Sequence, residues 1–327
     1  MKRTIATLAA AASLGLAGLA APAYCADAFP SKPLRLVIGY AAGGSADVVG
    51  RLLAKEMGVS MGQSVVVENK PGANALIANK DVERAAPDGY TLVLTSLSHV
   101  VNPILNPKTA NYDPVASFSP ISMVATLPLV AVTAYDSPYR SLQDLIGKAK
   151  AEPGSVTYGS AGTGGSGHLA GSMLSLAAQA PMTHIPFKGN APALTEVMAG
   201  RVSYTFFPMV GIAELVKEKR LRVLAVATRH RMPQFPDAPT LAESGFQGFE
   251  DTAIWLGLMA PARTAPAVVN NIYEEARKAL AVPAVRQRLQ ELGAVPEGSS
   301  PAQFTDYLKS DIQRWTHVIE ESGIRVE

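Results

Sequence analysis

Residues 34–45 read LRLVIGYAAGGS and decide the fold of this chain. Residues 34–40 are a short, largely apolar run that ends at a turn, which is typical of a buried β-strand. The glycine-rich turn at residues 41–45 follows, and residues 46–57 then carry their apolar side chains on one helical face. A strand that leads through a glycine-rich turn into a helix is the opening of an α/β layer. The stretch therefore predicts an α/β protein.

The same alternation continues outward along the chain. Short β-rich runs are separated by glycine or proline turns and by helical patterns, which predicts mostly parallel sheets flanked by helices. A second cycle begins near residue 127, and its strand 156–159, loop 162–167 and helix 168–179 repeat the order of the first. The other predicted strands are 64–68, 90–94, 127–132, 185–187, 202–207, 221–228 and 253–260, and the other predicted helices are 75–85, 141–151, 191–199, 266–280, 283–292 and 301–322.

The first residues have the pattern of a secretory signal peptide. Met1-Lys2-Arg3 is basic, residues 5–21 are nearly all Ala, Leu and Gly, and Ala21-Pro22-Ala23 is a small-x-small cleavage site. A membrane span is the alternative, but the apolar run is marginally short for the roughly 20 residues that a bilayer needs. We expect residues 1–26 to be a signal peptide and the mature chain to reach the periplasm. Cleavage after residue 23, 25 or 26 stays open.

Composition and charge narrow the classes of partner. The 29 Lys and Arg against 27 Asp and Glu give a formal net charge of +2, without a basic run, and only 6% of the residues are aromatic. A nucleic-acid surface needs a basic patch or stacking aromatic rings, so we expect no nucleic-acid partner. Cys25 is the only cysteine, and Tyr24 stands before it where a lipoprotein has a small residue. Neither a disulfide nor lipidation is therefore expected.

Signatures of catalysis, metal binding and cofactor binding are weak. The sequence has no GxSxG nucleophile motif and no phosphate-loop lysine motif, and its five histidines lack metal-ligand spacing. We therefore expect no enzyme activity, no metal and no cofactor. His168 beside loop 162–167, Asp47 in the first helical turn of 46–57, and Trp255 in a strand are interpreted as structural. The alternatives are that His168 helps to shape the site and that Trp255 forms a wall of the cleft.

The best alternative is an NADP-dependent oxidoreductase. Residues 162–167, GTGGSG, match the GxGxxG dinucleotide motif and follow a strand. The acidic residue expected about 20 positions later is missing. Lys188 could meet a 2′-phosphate, so the dinucleotide function is kept as an alternative.

Two strand–loop–helix units in equivalent positions of two cycles predict a clamp for an anion. Free N–H groups and the helix dipole favour an anion at a helix N-terminus, and glycine lets the backbone approach a ligand. Ser45 and Ser166 are predicted to cap the two helices and to donate to the ligand. Two capped helices without a ligand are the alternative. The candidate ligand-binding residues are Tyr40, Ala41, Ala42, Gly43, Gly44, Ser45, Ser96, Ser98, Ser160, Ala161, Thr163, Gly164 and Ser166.

Motifs along nearly the whole mature chain resemble those of one family. They are PSKPLR at 30–35, GGSAD at 43–47, VENKPG at 67–72, APDGYTL at 86–92, YDP at 112–114, YGSAG at 158–162, GHLAG at 167–171, HIPFKG at 184–189, PTLAE at 239–243 and WLGL at 255–258. In this order they resemble the substrate-binding receptors of tripartite tricarboxylate transporters, also called the Bug family.

This resemblance implies a two-lobed periplasmic binding protein of the type II, Venus-flytrap fold. Lobe 1 is then expected at residues 27–126 plus 252–327, and lobe 2 at residues 127–251. The resemblance implies a small carboxylate that is held by the loops 41–45 and 160–166, partly through ordered waters. It also implies that membrane transporter subunits are the protein partner. A sensor adaptor without a transport role is the alternative, and a monomer is expected.

Two departures from the family pattern bear on the ligand. The family commonly has prolines where Ala41 and Ala42 stand, which implies a less rigid first loop. Amino-acid-binding members resemble one another in an acidic residue after the strand that ends at Phe207, whereas Pro208 stands here. Pro208 is therefore a further candidate ligand-binding residue. We expect a plain organic acid without an ammonium group.

Overall fold

The computed structural model describes residues 29–209 and 211–322. The predicted signal peptide at residues 1–26, with Cys25 and the alternative cleavage positions, lies outside the described residues. The elements below belong to one compact unit that begins at Lys32. Within the described part of the chain, no helix has both the length and the hydropathy needed to cross a membrane.

Strands and helices alternate as the sequence predicts. The described strands are β1 (Leu34–Ile38), β2 (Val65–Asn69), β3 (Thr91–Thr95), β4 (Phe118–Leu127), β5 (Leu129–Ala134), β6 (Thr157–Ser160), β7 (Thr183–Pro186), β8 (Tyr204–Pro208), β9 (Leu221–Val226), β10 (Ile254–Pro261) and β11 (Val295–Pro296). The described helices are α1 (Ser45–Met61), α2 (Leu76–Glu83), α3 (Ser98–Leu105), α4 (Pro107–Ala110), α5 (Leu142–Ala151), α6 (Ser166–Ala177), α7 (Asn190–Met198), α8 (Ala213–Lys217), α9 (Pro266–Ala281), α10 (Pro283–Glu291) and α11 (Pro301–Ser322).

The strands form two sheets. The first sheet has six strands in the order β11-β4-β10-β3-β1-β2, and the second has five in the order β7-β6-β8-β5-β9. The chain leaves the first sheet at Pro128, between β4 and β5, and returns to it with β10. Two sheets flanked by helices confirm the α/β, two-lobed fold class.

Both sheets are mixed, which differs from the mostly parallel sheets that we expected. β1 runs parallel to β2 and β3, and β6 runs parallel to β7 and β8. In contrast, β10 is antiparallel to β3 and β4, and β5 is antiparallel to β8 and β9. The antiparallel pairs involve the strands beside the two chain crossings. A strand that enters from the other sheet is not part of a βαβ unit, so it is free to run in either direction.

Local signals set several helix ends. The Ser141 hydroxyl accepts the Asp144 N–H at 3.1 Å and the Asp144 carboxylate accepts the Ser141 N–H at 2.9 Å, which is the capping box that begins α5. Pro266 and Pro283 stand in the first turns of α9 and α10, where proline costs no hydrogen bond. Gly62 ends α1 with φ 65°, in the left-handed region that glycine favours. The starts of α5, α9 and α10 depend only on neighbouring residues, so the sequence predicts them. The end of α1 differs from the prediction, because the helix continues to Met61 and does not stop at residue 57.

Five of these elements, β4, β11, α3, α4 and α8, were not predicted, and in two of them, β4 and α3, proline interrupts the pattern. β4 lies between β10 and β11, and its sequence FSPISMVATL contains Pro120 and no strict alternation. Pro120 pairs with Met259 at a register shift, a position where a missing N–H is tolerated. α3 carries Pro103 in its interior, which disfavours a helix in an isolated chain.

Trp255 is a core residue, as interpreted from the sequence. It is 1% exposed and lies edge-on to Phe304, with 5.6 Å between the ring centroids. Its Nε1–H donates to Asp311 Oδ2 at 2.9 Å, and the Trp315 Nε1–H donates to Asp311 Oδ1 at 3.0 Å. The buried carboxylate thus satisfies two indole donors, and α11 is fixed against the first sheet.

Candidate ligand-binding site

The turn between β1 and α1 holds its backbone in a defined arrangement. Gly43 has φ 78°, and its N–H donates to Asp47 Oδ2 at 2.8 Å. The Gly44 N–H donates to the Ala41 carbonyl at 3.2 Å, and Gly44 is extended at φ −74° and ψ 167°. Because the helix begins at Ser45, the amides of residues 45–47 have no acceptor inside α1.

The turn between β6 and α6 repeats this arrangement. Gly164 has φ 77°, and its N–H donates to His168 Nδ1 at 2.9 Å. The Gly165 N–H donates to the Gly162 carbonyl at 3.2 Å, and Gly165 is extended at φ −76° and ψ 160°. The amides of residues 166–168 are likewise without an acceptor inside α6. Each turn is therefore fixed by a side chain four residues further on, an acid in the first and an imidazole in the second.

The prediction that Ser45 and Ser166 are the N-caps is wrong. Gly44 and Gly165 occupy the N-cap positions, and neither helix has a side-chain cap hydrogen bond. The physical reason is that the turns are already held by the bonds to the Gly43 and Gly164 amides. A serine cap would occupy a first-turn N–H, the group that an anion needs. The Ser45 and Ser166 hydroxyls line a cavity instead.

Asp47 anchors the first turn, which agrees with its structural interpretation. It is 3% exposed, and its carboxylate accepts from Arg51 Nε at 2.9 Å and from Asn69 Nδ2 at 2.9 Å, as well as from Gly43. Burial opposes ionisation, but the hydrogen bonds from Arg51, Gly43 and Asn69 outweigh it and hold the pKa of Asp47 below its ordinary value. The negative charge of Asp47 is thus compensated by Arg51 within the turn.

His168 anchors the second turn as a neutral ring. Burial lowers the pKa of His168 to about 4, and Nδ1 must be unprotonated to accept the Gly164 N–H. His184 stacks on it with 3.8 Å between ring centroids, and burial together with repulsion from His168 lowers the pKa of His184 to about 3. Ser160 Oγ lies 2.7 Å from His184 Nε2 and 2.9 Å from the Gly162 carbonyl oxygen. The Ser160 hydroxyl is therefore engaged in supporting the turn.

Both turns face one cavity of about 230 Å³, which we call the inner chamber. Turn backbones and serine hydroxyls form its polar wall. Its apolar wall comes from Leu127 and Ile254 at the chain crossings, and from Phe206 and Leu256. The predicted ligand-binding residues that line the inner chamber are Tyr40, Ala41, Ala42, Gly43, Gly44, Ser45, Ser96, Ser98, Ala161 and Ser166.

A hydroxyl cluster completes the polar wall. The Tyr40 hydroxyl is hydrogen-bonded to Ser98 Oγ at 2.7 Å and to Ser96 Oγ. Burial raises the pKa of Tyr40, and the two serine bonds oppose this effect only in part. The phenol therefore stays protonated, and the cluster brings only neutral hydroxyl groups to the inner chamber.

A second cavity, of about 700 Å³, adjoins the first, and we call it the outer chamber. Thr163, another predicted residue, lines this outer chamber. The remaining predicted residues, Ser160, Gly164 and Pro208, are absent from the walls of both cavities. Gly164 packs so closely that an added Cβ would lie 2.7 Å from Leu105, and Pro208 pairs with Leu129 inside the second sheet.

Two further residues line both chambers. Sequence reasoning missed Asn74 and considered Lys188 only as a contact for a 2′-phosphate. Lys188 and Gly189 stand between the strand β7 and the helix α7, and this strand–glycine–helix order is a signal that could have drawn attention to them. Asn74 has φ 50°, and its Nδ2 donates to the Thr163 carbonyl at 3.3 Å. No sequence signal predicts that contact, because it joins turns 89 positions apart.

Known proteins resemble the chain over nearly its full length. BugT of Bordetella pertussis is 34% identical over 316 residues, which cover 96% of each chain. The structure of the periplasmic binding protein BugD matches with a TM-score of 0.85 and 32% identity, over 91% of this chain and 100% of that one. The R. palustris protein Rpa4515, solved with adipate, matches with a TM-score of 0.86 and 31% identity, over 91% of this chain and 99% of that one.

The family comparison covers the whole second sheet and every strand of the first sheet except β1. The model of the tripartite tricarboxylate transporter family receptor, TctC, matches residues 49–324. That range begins in α1 and includes the second turn, both chain crossings and the C-terminal helices. The chain therefore belongs to the TctC family of tripartite tricarboxylate transporter receptors.

Proposed function

We propose that this protein is a periplasmic receptor that captures a small organic acid between two lobes and delivers it to a tripartite tricarboxylate-type transporter. The observation that carries the proposal is the pair of equivalent turns, one from each sheet, that present uncapped helix N-termini to one cavity. Such N-termini attract a carboxylate through free N–H groups and the helix dipole. The protein acts as a binding protein and not as an enzyme.

Charge supports a ligand that is an anion without an ammonium group. Among the described residues, no acidic side chain lines either chamber. The nearby Asp47 carboxylate is bonded to Arg51 and Asn69, so it is not available to an ammonium group. An amino acid would leave its ammonium group without a counter-charge, whereas a plain acid would not.

The lobes are proposed from the sheets. Residues 27–126 with 252–327 would form lobe 1 around the first sheet, and residues 127–251 would form lobe 2 around the second. The inner chamber lies where turns of both sheets meet, and two chain crossings form its apolar wall. Hinge closure about two crossings would then enclose the ligand.

Periplasmic location and transport are proposed from the predicted signal peptide and from the family. BugD is described as a periplasmic binding protein, and Rpa4515 was solved with adipate. Residues 1–26 would be removed on export, and the mature monomer would bind the transporter subunits. A sensor adaptor would bind the same ligand without those subunits.

The test is a thermal-shift screen of the mature protein, followed by calorimetry of the acids that respond. Monocarboxylates, dicarboxylates, tricarboxylates, aspartate, glutamate and NADP form the panel. A ligand at 100 times its Kd should stabilise the fold by about 2.7 kcal/mol, a shift in the unfolding midpoint of roughly 4 °C for a chain of this size. Ser45→Tyr should abolish the shift by filling the inner chamber, whereas Ser155→Tyr on an exposed loop should preserve it.

Each part of the proposal can fail separately in this screen. A shift with aspartate or glutamate but not with plain acids would overturn the ligand class. A shift with NADP alone would overturn the receptor function in favour of the dinucleotide alternative. A separate co-purification experiment tests the partner. If the loaded receptor does not co-purify with the membrane subunits of the transporter, the sensor adaptor is favoured.

A further inference from the structure

Asn69, the last residue of β2, stands beside the turn between β1 and α1. β2 runs parallel to β1, and Asn69 is paired in register with Ile38, the last residue of β1. The Lys70 N–H secures this register by donating to the Ile38 carbonyl at 2.8 Å. The side chain of Asn69 is therefore placed where the chain leaves the first sheet and enters the turn.

The amide of Asn69 joins the two ends of this turn. Its Nδ2 donates to the Tyr40 carbonyl at 3.1 Å, near the start of the turn, and to Asp47 Oδ1 at 2.9 Å, where α1 has begun. Its Oδ1 accepts from Arg51 Nη2 at 2.9 Å. A carbonyl and an ionised carboxylate can only accept, and a guanidinium can only donate, so these partners fix the orientation of the amide.

Asn69 also fixes the orientation of the Asp47 carboxylate. Asp47 Oδ2 accepts the Gly43 N–H at 2.8 Å and Arg51 Nε at 2.9 Å, and Asp47 Oδ1 accepts from Asn69. Asp47 is buried, and a buried oxygen that loses its donor is unfavourable. Loss of the Asn69 donor should therefore favour another orientation of Asp47, in which Oδ2 no longer holds the Gly43 N–H.

A side chain from the neighbouring parallel strand also supports the turn between β6 and α6. β7 runs parallel to β6, and His184 of β7 stacks on His168 with 3.8 Å between the ring centroids. His184 Nε2 lies 2.7 Å from Ser160 Oγ, at the end of β6. In both sheets, the residue that accepts the glycine N–H of the turn is thus contacted by a side chain of the next strand.

We propose that Asn69 is a positioning residue for ligand binding, which acts through Asp47 on the backbone of the turn between β1 and α1. Asn69 lies in the walls of neither chamber, so it does not contact the ligand itself. The inference rests on the proposed function, because it assumes that the first amides of α1 receive a carboxylate. Donors that are already ordered bind an anion more tightly than donors that must be ordered on binding.

Asn69→Asp separates positioning from packing. It keeps the size of the side chain and an acceptor for Arg51, but at neutral pH it replaces the donor to Asp47 by a second carboxylate. Two carboxylates in contact oppose each other's ionisation, so the pair takes up a proton as the pH falls. The protonated carboxyl group can again donate to Asp47 Oδ1. The variant should therefore regain affinity in mild acid.

The charged groups around Asn69 assign this titration to the pair of carboxyl groups. Asp47 and Arg51 of α1 are bonded to Asn69, and Arg51 opposes proton uptake because its guanidinium would contact both carboxylates. The other charged side chains on β1, on α1 and at the end of β2 form ion pairs with one another or with Asp81 of α2. They are Arg35, Lys55, Glu56, Glu68 and Lys70.

The test is calorimetry on the mature protein with acetate, succinate, adipate and citrate, at pH 7.5 and pH 5.0. For the acid that binds the wild type most tightly, Asn69→Asp should bind about tenfold more weakly at pH 7.5, because a hydrogen bond to a charged group is lost. At pH 5.0 the difference from the wild type should shrink to about twofold or less. The comparison with the wild type at each pH cancels the titration of the acid itself.

Two further variants control for packing and for charge. Asn69→Leu has no titrating group, so it should bind more weakly than the wild type by a similar factor at both pH values. Asn271→Asp makes the same change of charge at an exposed position of α9 and should match the wild type at both. In the ligand-free protein, hydrogen exchange at the Gly43 amide should be faster in Asn69→Asp than in the wild type at pH 7.5.

The outcomes separate this inference from the proposed function. If the wild type binds none of the four acids, the proposed function fails, and the Gly43 exchange rates still decide whether Asn69 holds the turn. If acids bind but either Asn69 variant has the wild-type affinity at pH 7.5, Asn69 does not position the site. An equal deficit of Asn69→Asp at both pH values would also overturn the inference, because the missing donor would then not be the cause.

Discussion

At the scale of single residues, two different side chains perform one task in the two turns. Asp47 and His168 each accept an N–H from the glycine four residues before them, at 2.8 Å and 2.9 Å. The carboxylate does this while ionised and balanced by Arg51, whereas the imidazole does it only while neutral. The two turns of the proposed clamp therefore respond differently to acid. Protonation of His168 at Nδ1 removes the acceptor of the Gly164 N–H, and the second turn loses its support.

Buried neutral histidines make the fold sensitive to mild acid. Burial lowers the pKa of His99 to about 4, and its Nε2 is hydrogen-bonded to the Pro114 carbonyl at 2.7 Å. The unfolded chain has a histidine pKa near 6.5, so it binds the proton first as the pH falls. The contribution of neutral His99 to the free energy of unfolding is therefore fully present above about pH 6.5, and it is lost as the pH falls toward 4. Linkage gives about 3 kcal/mol for such a shift.

His99→Phe should flatten this part of the stability profile. We expect a smaller loss in the free energy of unfolding between pH 6.5 and pH 4, measured by urea denaturation at several pH values. The exposed His230→Phe is the matched control and should keep the wild-type slope. An unchanged slope in His99→Phe would show that His99 does not carry this titration.

At the scale of elements, the turn between β2 and α2 is unusual in its backbone. Ala73, Asn74 and Ala75 have φ values of 45°, 50° and 65°, in the left-handed region that costs L-residues roughly 1–2 kcal/mol each. Ala75 is packed so tightly that a Cβ at Gly39 would lie 2.3 Å from its own Cβ. The strained turn is therefore held by packing, and it brings Asn74 to the chambers.

Ala73→Gly should relieve part of this strain. Ala73 is exposed, so the substitution loses no packing, and the fold should gain up to about 1 kcal/mol. Ala86→Gly, at an exposed position outside the left-handed region, is the control and should lose up to about 1 kcal/mol. Equilibrium denaturation measures both. A loss of stability in Ala73→Gly would contradict the account of strain.

Element prediction succeeded where the signal is local. The capping box of α5, the prolines that begin α9 and α10, and the glycine turns after β1 and β6 all follow from neighbouring residues. β4 and α3 were missed because Pro120 and Pro103 argue against them locally, and only packing between other elements stabilises them. The serine caps were wrongly predicted because the competing acceptors, Asp47 and His168, lie one turn further along each helix.

At the scale of the whole molecule, contacts between the two sheets determine whether the chambers are enclosed. Asn74 belongs to a turn of the first sheet, and Thr163 belongs to a turn of the second. Their hydrogen bond, with 3.3 Å between Asn74 Nδ2 and the Thr163 carbonyl oxygen, connects the two turns. If closure encloses the ligand, this bond forms with closure and slows release.

Asn74→Gly should therefore weaken ligand binding without harming the fold. Glycine accepts the φ of 50°, so the backbone is kept and only the amide is lost. A net hydrogen bond of about 1 kcal/mol corresponds to roughly fivefold in Kd, which we expect mainly in the dissociation rate. Stopped-flow measurements with the acid found in the screen test this. Equal dissociation rates in the variant and the wild type would show that the bond does not restrain the closed form.

The sequence by itself determined the α/β alternation, the two glycine turns, the family and the expectation of an acidic ligand. Each of these depends on residues that are close together in the chain or on motifs in a fixed order. The tertiary structure alone decided the strand directions, the replacement of serine caps by Asp47 and His168, and the meeting of Asn74 with Lys188 at two chambers. The physical reason is that a cavity wall depends on packing between distant segments, here as much as 89 positions apart, and local propensities carry no information about such contacts.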